Sequence, residues 1–447
     1  MGRHLACFKA YDVRGIVPSE LNPELAYKIG RAFADEIPCQ KVCLGYDIRL
    51  SGPELADALT RGLNDAGVDV VNLGLIGTEM VYFATAHYGY DGGIMITASH
   101  NPPEYNGMKM VRAESRPISG DTGLLAIEER IAAGNFTRTG SGTVSTQDCY
   151  ADYVQHLLSF VDVSKLRPLK VFANNGNGGA ALAMNAVEPF LPNKVTKFLF
   201  EPDGNFPNGV PNPILPEAQA PVKATMAGNG YDFGVAWDGD YDRCFFFDEN
   251  GDFIEGYYIV GLLAKAFLTI NPAQTIVYDV RLTWNTEGIL ESMGGRGVMS
   301  KSGHSFIKER MRAEDAVYGG EMSAHHYFKQ NWYCDSGMVP YMLISYLLST
   351  SDQTLGEMVR EMIANYPCSG EVNSKVADVP AAIARVAEAF PGGERNNVDG
   401  LSVDFGDWRF NLRGSNTEPL LRLNVETRGD AEKMRARTEE LLAIIRA

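Results

Sequence analysis

Ser99 lies in the stretch of this sequence whose residue types are best suited to chemistry. It stands in a polar loop, 97–102, between the apolar runs 94–96 and 108–111. This pattern predicts a strand, a tight loop and a second strand, an arrangement that would hold the serine where a ligand can reach it. Because a bare hydroxyl is a weak nucleophile, Ser99 would need a base or a metal beside it, or would carry a phosphate that it donates. Taken alone, the loop is also typical of a turn whose side chains bond the local backbone.

Three aspartates at alternate positions, Asp238, Asp240 and Asp242, follow a predicted buried strand, 233–237. Three carboxylates so spaced repel one another and do not converge comfortably without a cation, and oxygen ligands without a nearby His or Cys pair indicate Mg²⁺. An EF-hand loop would also place acids at these positions. However, Arg243 stands where that loop requires glycine, and strands rather than helices flank the site. A solvated turn is the remaining alternative.

Another predicted strand, 316–318, is followed by Glu321 and Ser323. A carboxylate accepts two hydroxyl protons and a hydroxyl can donate or accept, so the pair is suited to binding a diol. The adjacent His325 and His326 could suggest a metal site, but neighbouring residues on an extended chain face opposite sides. We therefore expect one of the two histidines to be structural.

A phosphate-binding loop is the best interpretation of 413–419, between two strands of the C-terminal segment. An arginine, a glycine that allows close backbone approach and small hydrogen-bonding side chains are suited to an anion; these residues are Arg413, Gly414, Ser415, Asn416 and Thr417. A turn without a ligand is the alternative.

The loop 174–179 carries a competing signal. Gly176, Gly178 and Ala181 fit the GxGxxA form of the dinucleotide fingerprint, and Glu201 follows the next strand about twenty residues later, where a ribose ligand belongs. This would indicate an NAD-dependent dehydrogenase. Against it, the unit lies in mid-chain and a proline-rich excursion, 202–213, follows; a tight turn packing strand against helix is the alternative.

Composition limits the class of protein. The 447 residues are too many for one core, and a net charge of −16 argues against nucleic acid, which needs a basic face. Seven cysteines without paired spacing are typical of reduced thiols in a cytoplasmic protein. The start of the chain lacks the apolar core of a signal peptide. The most apolar helical run, 257–270, contains Lys265 and is too short to span a membrane.

The elements that must position these residues alternate between strand and helix. This rhythm predicts mixed, mostly parallel sheets with ligands at the carboxyl ends of their strands. Strands outnumber helices after residue 354, which indicates a smaller α+β domain. The sequence thus predicts four segments: 1–146 with the serine loop, 147–255 with the aspartates, 256–353 with the diol-binding pair and 354–447 with the phosphate loop.

Four motifs, TASHNP, DGDYDR, GEMSAHH and RGSNTEP, occur in that order, one in each segment. Each resembles a signature loop of the α-D-phosphohexomutases, and the resemblance covers nearly the whole chain. It implies three related α/β domains and a C-terminal α+β domain around one central cleft. Met322 in GEMS resembles the bacterial phosphomannomutase/phosphoglucomutase branch rather than the phosphoglucosamine branch, which usually carries Gln there.

The resemblance also implies roles for individual residues. Ser99 would be the phosphoserine and would share the metal site with Asp238, Asp240 and Asp242. The catalytic residues would be Ser99, Arg14, His100, Lys109, Arg243 and His304. The substrate would be bound by Tyr11, Arg281, Glu321, Ser323, His325, Arg413, Ser415, Asn416 and Thr417. Arg281 stands where many relatives carry lysine, which leaves its role open.

The implied reaction moves phosphate between carbons 1 and 6 of a hexose through a hexose 1,6-bisphosphate, with Mg²⁺ as cofactor and the bisphosphate as activator. Phosphoserine 99 would load the free hydroxyl, and the bisphosphate would turn over to return its other phosphate. Lys109 or His304 could carry the hydroxyl proton. Glu321 and Ser323 would grip oxygens 3 and 4, which glucose and mannose share, so both sugars are expected as substrates. We expect a monomer or weak dimer in carbohydrate metabolism, supplying nucleotide-sugar precursors; phosphoglucosamine mutase, a phosphatase and the dehydrogenase are the alternatives.

Overall fold

The computed structural model describes residues 5–414 and 420–447. The chain divides into two compact units, one comprising the chain up to Gly251 with Gln330–Thr350, the other Asp252–Lys329 with the chain from Ser351 onward. The strands are β1 (Val13–Ile16), β2 (Lys41–Tyr46), β3 (Asp69–Leu75), β4 (Gly92–Ile96), β5 (Tyr105–Arg112), β6 (Arg116–Pro117), β7 (Val144–Thr146), β8 (Lys170–Asn174), β9 (Lys194–Phe198), β10 (Phe233–Trp237), β11 (Cys244–Phe247), β12 (Thr275–Asp279), β13 (Arg296–Ser300), β14 (Tyr318–Gly320), β15 (His326–Phe328), β16 (Cys334–Asp335), β17 (Val372–Lys375), β18 (Glu394–Asn396), β19 (Leu401–Asp404), β20 (Trp408–Gly414) and β21 (Leu420–Thr427).

The α-helices are α1 (Pro23–Glu36), α2 (Gly52–Asp65), α3 (Thr78–His87), α4 (Leu124–Ala133), α5 (Tyr150–Leu158), α6 (Ala180–Val187), α7 (Pro216–Met226), α8 (Gly256–Ile270), α9 (Trp284–Met293), α10 (His304–Glu314), α11 (Met338–Ser349), α12 (Leu355–Asn365), α13 (Val379–Ala389) and α14 (Ala431–Ile445). Short 3₁₀ helices lie at Ala113–Ser115, Gly120–Thr122, Val163–Lys165, Glu188–Phe190 and Lys329–Asn331.

The first unit contains two mixed sheets. In the first sheet the strands follow the order β1-β5-β4-β2-β3-β7; β2 pairs in parallel with β3 and β4, whereas β5 is antiparallel to β4. Leu55, Leu59 and Leu63 on α2 are all buried, because their spacing places them on one face of the helix. The second sheet has the order β11-β10-β8-β9, and its only antiparallel pair among these strands is β10 with β11.

The second unit contains a mixed sheet and an antiparallel one. Strands β13, β12 and β14 are parallel, and β15 runs antiparallel to β14. The last sheet, β17-β21-β20-β19-β18, is antiparallel throughout, and α13 and α14 pack on its apolar residues. The predicted fold class, three α/β domains with mixed sheets followed by a smaller α+β domain, is therefore confirmed. The four domain boundaries stay a prediction.

Two further expectations can be compared with the fold. All seven cysteines are free thiols, six of them buried. Within residues 5–414 and 420–447, the helices are too short or too polar to cross a bilayer.

Candidate active site

Ser99 lies in the loop between β4 and β5, as the sequence predicts, and its side chain is buried. Its Oγ donates to Asp238 Oδ2 at 2.8 Å and lies 3.0 Å from His100 Nδ1. The backbone of Ser99 has φ = +50°, a left-handed conformation that a non-glycine residue adopts only when its surroundings hold it there. The hydroxyl is therefore fixed against a carboxylate of the aspartate loop.

Arg49 holds the serine loop in this conformation. Its guanidinium is fully buried and donates to the backbone carbonyls of Ser99, Asn101, Pro102 and Tyr105 at 2.6–2.9 Å. Five N–H donors in a rigid plane allow one arginine to bond several backbone carbonyls at once. Arg49 thus replaces secondary structure as the support of the loop.

Asp47 and Thr97 complete this support. Asp47 accepts from the Arg49 backbone N–H at 3.0 Å and from Thr97 Oγ1 at 2.6 Å. Thr97 Oγ1 in turn accepts from the Ser99 backbone N–H at 2.9 Å. Burial raises the pKa of Asp47 to about 6, against the opposing charge of Arg49. Backbone and side-chain bonds therefore fix Ser99 from both sides.

The aspartate loop connects the antiparallel strands β10 and β11, so strands flank it and the EF-hand alternative is excluded. A Cβ on Gly239 would lie 2.4 Å from the Ser99 carbonyl oxygen, which shows that the two loops touch through their backbones. Tyr241 inserts its ring beside Gly77, where a Cβ would lie 2.1 Å from the ring, and the Gly77 N–H donates to the Tyr241 hydroxyl at 2.9 Å. These contacts fix the aspartate loop against the serine loop and against the residue that precedes α3.

Helix α3 supports the same loop from its first turn. Thr78 Oγ1 donates to Asp240 Oδ2, and the Thr78 backbone N–H donates to the Asp240 carbonyl at 3.2 Å. The next residue, Glu79, is buried and accepts from the Tyr153 hydroxyl on α5. Burial raises the pKa of Glu79 to about 8. The helix start therefore links the aspartate loop to the core of the first unit.

Asp238, Asp240 and Asp242 converge, with oxygens from all three within 4.8 Å of one another, and each is nearly inaccessible to solvent. Lys109 Nζ contacts Asp240 Oδ2 at 2.7 Å and also Asp242 Oδ2, while Arg243 Nε contacts Asp238 Oδ2 at 2.9 Å. Asp240 Oδ1 and Asp242 Oδ1 are buried and have no hydrogen-bond partner among the described residues. Buried oxygens without donors fit a hard divalent cation.

The charges of these groups point the same way. Burial raises the pKa of Asp242 well above its usual value, and the charge of Asp240 adds to the effect. Burial also raises the pKa of Asp238. The pKa of Asp240 is lowered, because Lys109 and Thr78 outweigh the cost of its burial. One lysine and one arginine therefore leave the three carboxylates short of positive charge.

Two more of the predicted catalytic residues flank this site. Arg14, on β1, donates to Asn101 Oδ1 at 2.8 Å and pairs with Asp12. His100 Nδ1 accepts from Arg243 Nη2, and burial together with the charges of Arg243 and Arg14 lowers the pKa of His100 well below its usual value. His100 is therefore neutral. Tyr11, which precedes β1 in the chain, is half-buried.

In the second unit, Arg281 follows β12 and is buried. It binds Asp279 through two parallel bonds of 2.9 Å, from Nε and Nη2, and lies 3.6 Å from Glu321 Oε1. Glu321 also accepts from the Gly303 backbone N–H at 2.8 Å and from the Tyr327 hydroxyl. Burial raises the pKa of Glu321, against the charge of Arg281. The structure thus places Glu321 and Arg281, both predicted to bind substrate, beside each other.

The two adjacent histidines differ as predicted. His326 is fully buried, and burial lowers its pKa to about 3; its Nδ1 bonds the Tyr318 hydroxyl at 2.8 Å. His325 is half-buried, with Nδ1 3.3 Å from Ser323 Oγ. His326 is therefore the structural histidine. His304, also half-buried, begins α10.

Arg413, at the end of β20, is buried and lies 3.2 Å from Glu371 Oε2 and 4.0 Å from Asp399 Oδ2. The predicted phosphate-binding residues Ser415, Asn416 and Thr417 lie outside the described residues.

The loop 174–179 does not have the open form that a dinucleotide requires. The Gly179 N–H donates to the Gly239 carbonyl at 3.0 Å, so the loop packs on the aspartate loop. Asn175 bonds the Gly178 carbonyl and the Ala181 N–H, which fills the helix start where a pyrophosphate would bind. Glu201 supplies its backbone carbonyl, to Asn177 Nδ2. The turn that packs strand against helix is the correct interpretation.

Several functional residues escape the sequence patterns. Arg49 and Asp47 follow β2, and Glu371 precedes β17; none belongs to a recognised motif. The rule that ligands lie at the carboxyl ends of parallel strands could have identified Asp47 and Arg49, because β2 ends just before them. No local signal marks Glu371.

Four segments of the chain match family descriptions. Residues 6–138, 151–251 and 255–366 match "Phosphoglucomutase/phosphomannomutase, alpha/beta/alpha" domains I, II and III, and residues 371–443 match the C-terminal domain of the same family. The chain is 52% identical over 455 residues to a phosphomannomutase of Salmonella montevideo, covering 99% of both. It is 53% identical over 447 residues to a protein named "Phosphohexose mutases" from Xanthomonas campestris pv. campestris, again over 99% of both.

A solved structure agrees with these matches. A phosphoglucomutase/phosphomannomutase family protein from Burkholderia thailandensis superimposes with a TM-score of 0.88, at 33% identity, over 99% of this chain and 98% of that one.

Proposed function

The chain belongs to the phosphoglucomutase/phosphomannomutase family, and from this premise we propose that it moves phosphate reversibly between carbons 1 and 6 of mannose and glucose phosphates. Membership makes it a mutase, that is, an isomerase. The observation that supports the mechanism is the Ser99 hydroxyl, bound at 2.8 Å to one of three converging buried aspartates. A serine in that position is suited to carrying a phosphate beside a divalent cation.

Phosphoserine 99 is the donor in this mechanism. The hydroxyl of a hexose monophosphate attacks the phosphorus, the bond from phosphorus to Ser99 Oγ breaks, and a hexose 1,6-bisphosphate forms. The proton of the attacking hydroxyl leaves to a base. The return step transfers the other phosphate to Ser99 Oγ, so the enzyme ends loaded again.

Cations of this chain offset the charge on the transferring group. Arg243 and Lys109 already contact the aspartates, and Arg14 binds Asn101 of the serine loop. Fixed positive groups stabilise a phosphoryl transition state because they need no rearrangement as charge develops.

Mg²⁺ is the cofactor that this site fits, with Asp238, Asp240, Asp242 and Ser99 as its ligands. The two buried carboxylate oxygens without donors support this assignment. When bound, the ion would supply Lewis-acid stabilisation of the phosphoryl oxygens.

Residues of the second unit, together with Tyr11 of the first, would bind the sugar and the phosphate that does not react. Glu321 and Ser323, with His325, would accept and donate to hydroxyls 3 and 4, which mannose and glucose share. Arg413, with Ser415, Asn416 and Thr417, would hold the phosphate, with Arg281 and Tyr11 as further contacts. Because these contacts do not involve carbon 2, where mannose and glucose differ, they support activity on both sugars.

Two residues are candidates for the base, Lys109 and His304. The pH dependence of kcat can distinguish them. Replacing the residue that acts as the base removes the part of the pH profile that its ionisation produces. We also propose that hexose 1,6-bisphosphate activates the enzyme, since unphosphorylated Ser99 needs a phosphate donor, and that the protein acts as a cytoplasmic monomer or weak dimer.

The test is an assay of Ser99→Ala with mannose 1-phosphate and glucose 1-phosphate, with bisphosphate present. We expect a loss of at least about a thousandfold in kcat, because the covalent route disappears. Ser115→Ala is the matched control, since Ser115 is also buried, has φ = +54° and donates to a backbone carbonyl. Equal activity of the two variants would reject the mechanism.

The alternatives predict other products. A phosphatase would release inorganic phosphate without isomer formation, and a phosphoglucosamine mutase would act on glucosamine phosphates in preference to both hexoses. Binding of NAD would support the dehydrogenase alternative. The packed loop at 174–179 argues against that alternative.

A further inference from the structure

Glu371 occupies a particular place in the last sheet. It directly precedes β17, which pairs with β21, and β21 pairs with β20. The preceding Gly370 carbonyl accepts from Asn424 Nδ2 at 2.9 Å. Strand pairing therefore places the Glu371 carboxylate beside side chains from two neighbouring strands.

Its carboxylate lies among three guanidinium groups. Glu371 Oε2 is 3.3 Å from Arg281 Nη1 and 3.2 Å from Arg413 Nη2, and Oε1 is 3.3 Å from Arg422 Nη1. These arginines hold the pKa of Glu371 below its usual value despite the opposing effect of burial. Glu371 is therefore an anion shared by three cations.

The three arginines need such an anion. Arg413 and Arg422 stand directly opposite each other on β20 and β21, and like charges so placed repel. Arg281, from the other sheet of the second unit, adds a third positive charge. Asp279 pairs with Arg281, but without Glu371 the facing Arg413 and Arg422 would be costly to hold together.

Two other acids beside these arginines are bound more firmly. Asp279 takes two bonds of 2.9 Å from Arg281 and a further bond from the Met322 N–H. Glu321 is held by Gly303 and Tyr327. The ion pairs that Glu371 forms with the described residues, by contrast, are to guanidiniums and are longer than 3.1 Å. Glu371 is therefore held less firmly than Asp279 and Glu321.

The arginines also retain unused donors. Arg413 Nε and Arg422 Nε are buried and have no hydrogen-bond partner among the described residues. One carboxylate has too few oxygens to satisfy three guanidiniums, whereas a phosphate dianion offers three oxygens and a second charge. The cluster can thus accept a stronger anion than the one it holds.

We propose that Glu371 is an internal counter-ion that exchanges with the phosphate of the substrate for Arg281, Arg413 and Arg422. This inference rests on the proposed function, in which Arg413 binds the phosphate that does not react. When phosphate enters, Glu371 gives up its arginines; when phosphate leaves, Glu371 returns to them.

The exchange has a kinetic purpose in a reaction whose intermediate must release one phosphate and present the other. Without Glu371, release of phosphate would leave Arg413 and Arg422 facing each other with no anion between them, and release would be slow. A resident carboxylate lowers that cost at the expense of affinity. Glu371 therefore weakens phosphate binding and speeds turnover.

The test is Glu371→Gln, which keeps the shape of the side chain and removes its charge. We expect inorganic phosphate, measured by calorimetry on the unphosphorylated full chain, to bind roughly tenfold more tightly. The KM for glucose 1-phosphate should fall and kcat should fall with it. The gain in affinity should vanish in an Arg413→Ala background, which excludes phosphate bound at the aspartate loop.

Glu314→Gln is the matched control. Glu314 pairs with Arg296 and Arg310 and is as exposed as Glu371, 20%, but it ends α10 away from the arginine cluster. It should leave phosphate affinity unchanged. Weaker or equal phosphate binding by Glu371→Gln would overturn the proposal, because a residue that merely orients the arginines gives that result. Phosphate affinity is measured without turnover, so failure of the mutase reaction would be seen separately.

Discussion

The two units contain groups of buried charges that are built in opposite ways. In the first unit, the Ser99 hydroxyl is fixed at 2.8 Å from Asp238, and its loop is held by four carbonyl contacts from one arginine. In the second unit, Glu371 is shared among three arginines at 3.2–3.3 Å. The first arrangement fixes one geometry, whereas the second allows one anion to replace another.

This difference follows from what each group is proposed to do. Phosphoryl transfer depends on placing the reacting atoms within fractions of an ångström, which requires a rigid frame. Holding either phosphate of an intermediate requires recognition that is reversible and tolerant of orientation. A frame of backbone bonds suits the first task, and competing ion pairs suit the second.

The strongest test of the comparison removes one carboxylate from the rigid site. Asp242→Asn should lower kcat by at least about a thousandfold, because it weakens the cation site on which charge stabilisation depends. Wild-type enzyme stripped by a chelator should recover with added Mg²⁺, whereas Asp242→Asn should not. Asp248→Asn, a buried acid at the other end of β11, is the control; equal losses in both variants would mean that the effect is structural.

The second test loosens the rigid frame without touching the reacting atoms. Arg49→Lys should lower kcat by about fiftyfold with little change in KM, because one ammonium cannot satisfy four carbonyls and Ser99 loses its fixed position. Arg138→Lys serves as the control, since Arg138 also donates to backbone carbonyls, those of Ala34 and Cys39. If Arg49→Lys keeps full kcat, the serine loop is not held as described.

The third test concerns the support behind the rigid site. The pKa of Glu79 is raised from its ordinary 4.5 to about 8, so between these values the folded chain holds a proton that the unfolded chain has lost. Stability from this group is therefore present at low pH and is lost as pH rises toward and through 8. Relative to Glu79→Gln, the wild-type free energy of unfolding should fall by about 2 kcal/mol from pH 6 to pH 8.

Urea denaturation at several pH values measures this difference. Glu129→Gln, at an exposed position on α4, should run parallel to wild type over the same range. Parallel curves for Glu79→Gln and wild type would show that Glu79 does not titrate in this range.

The smallest effect is expected where the second unit is tolerant. Arg281→Lys keeps the charge but loses the paired bonds to Asp279, so KM should rise by about threefold to fivefold while kcat stays within about twofold. Steady-state kinetics on both hexose phosphates measures it. A hundredfold fall in kcat would show that this region is as rigid as the first and would break the comparison.

The sequence predicts the fold class and the reacting groups because their signals are local. Ser99 and the aspartates each follow an apolar run that ends at a strand terminus, those of β4 and β10. Glu321 is predicted by the same strand-end rule, whereas Arg281 is predicted by the resemblance alone. Chemistry concentrated in short loops is thus visible in short stretches of sequence.

The supports are not visible in this way. Arg49 resembles an ordinary loop arginine, and its importance depends on carbonyls about fifty residues away that only the folded chain brings to it. The role proposed for Glu371 depends on three arginines that only the folded chain brings to it. The dinucleotide-like glycines show the converse, a local pattern whose meaning is reversed by the loop packed against it.

The contact between Gly77 and Tyr241 limits which segments this gene can exchange with related genes. Any side chain at 77 would collide with the ring at 241, although 164 positions separate the two. Segments exchanged between relatives by recombination would therefore remain compatible only if the small residue and the aromatic ring travelled together or were already shared. We expect hybrid genes that join an unmatched partner at either position to yield chains that fold poorly, whatever their catalytic residues.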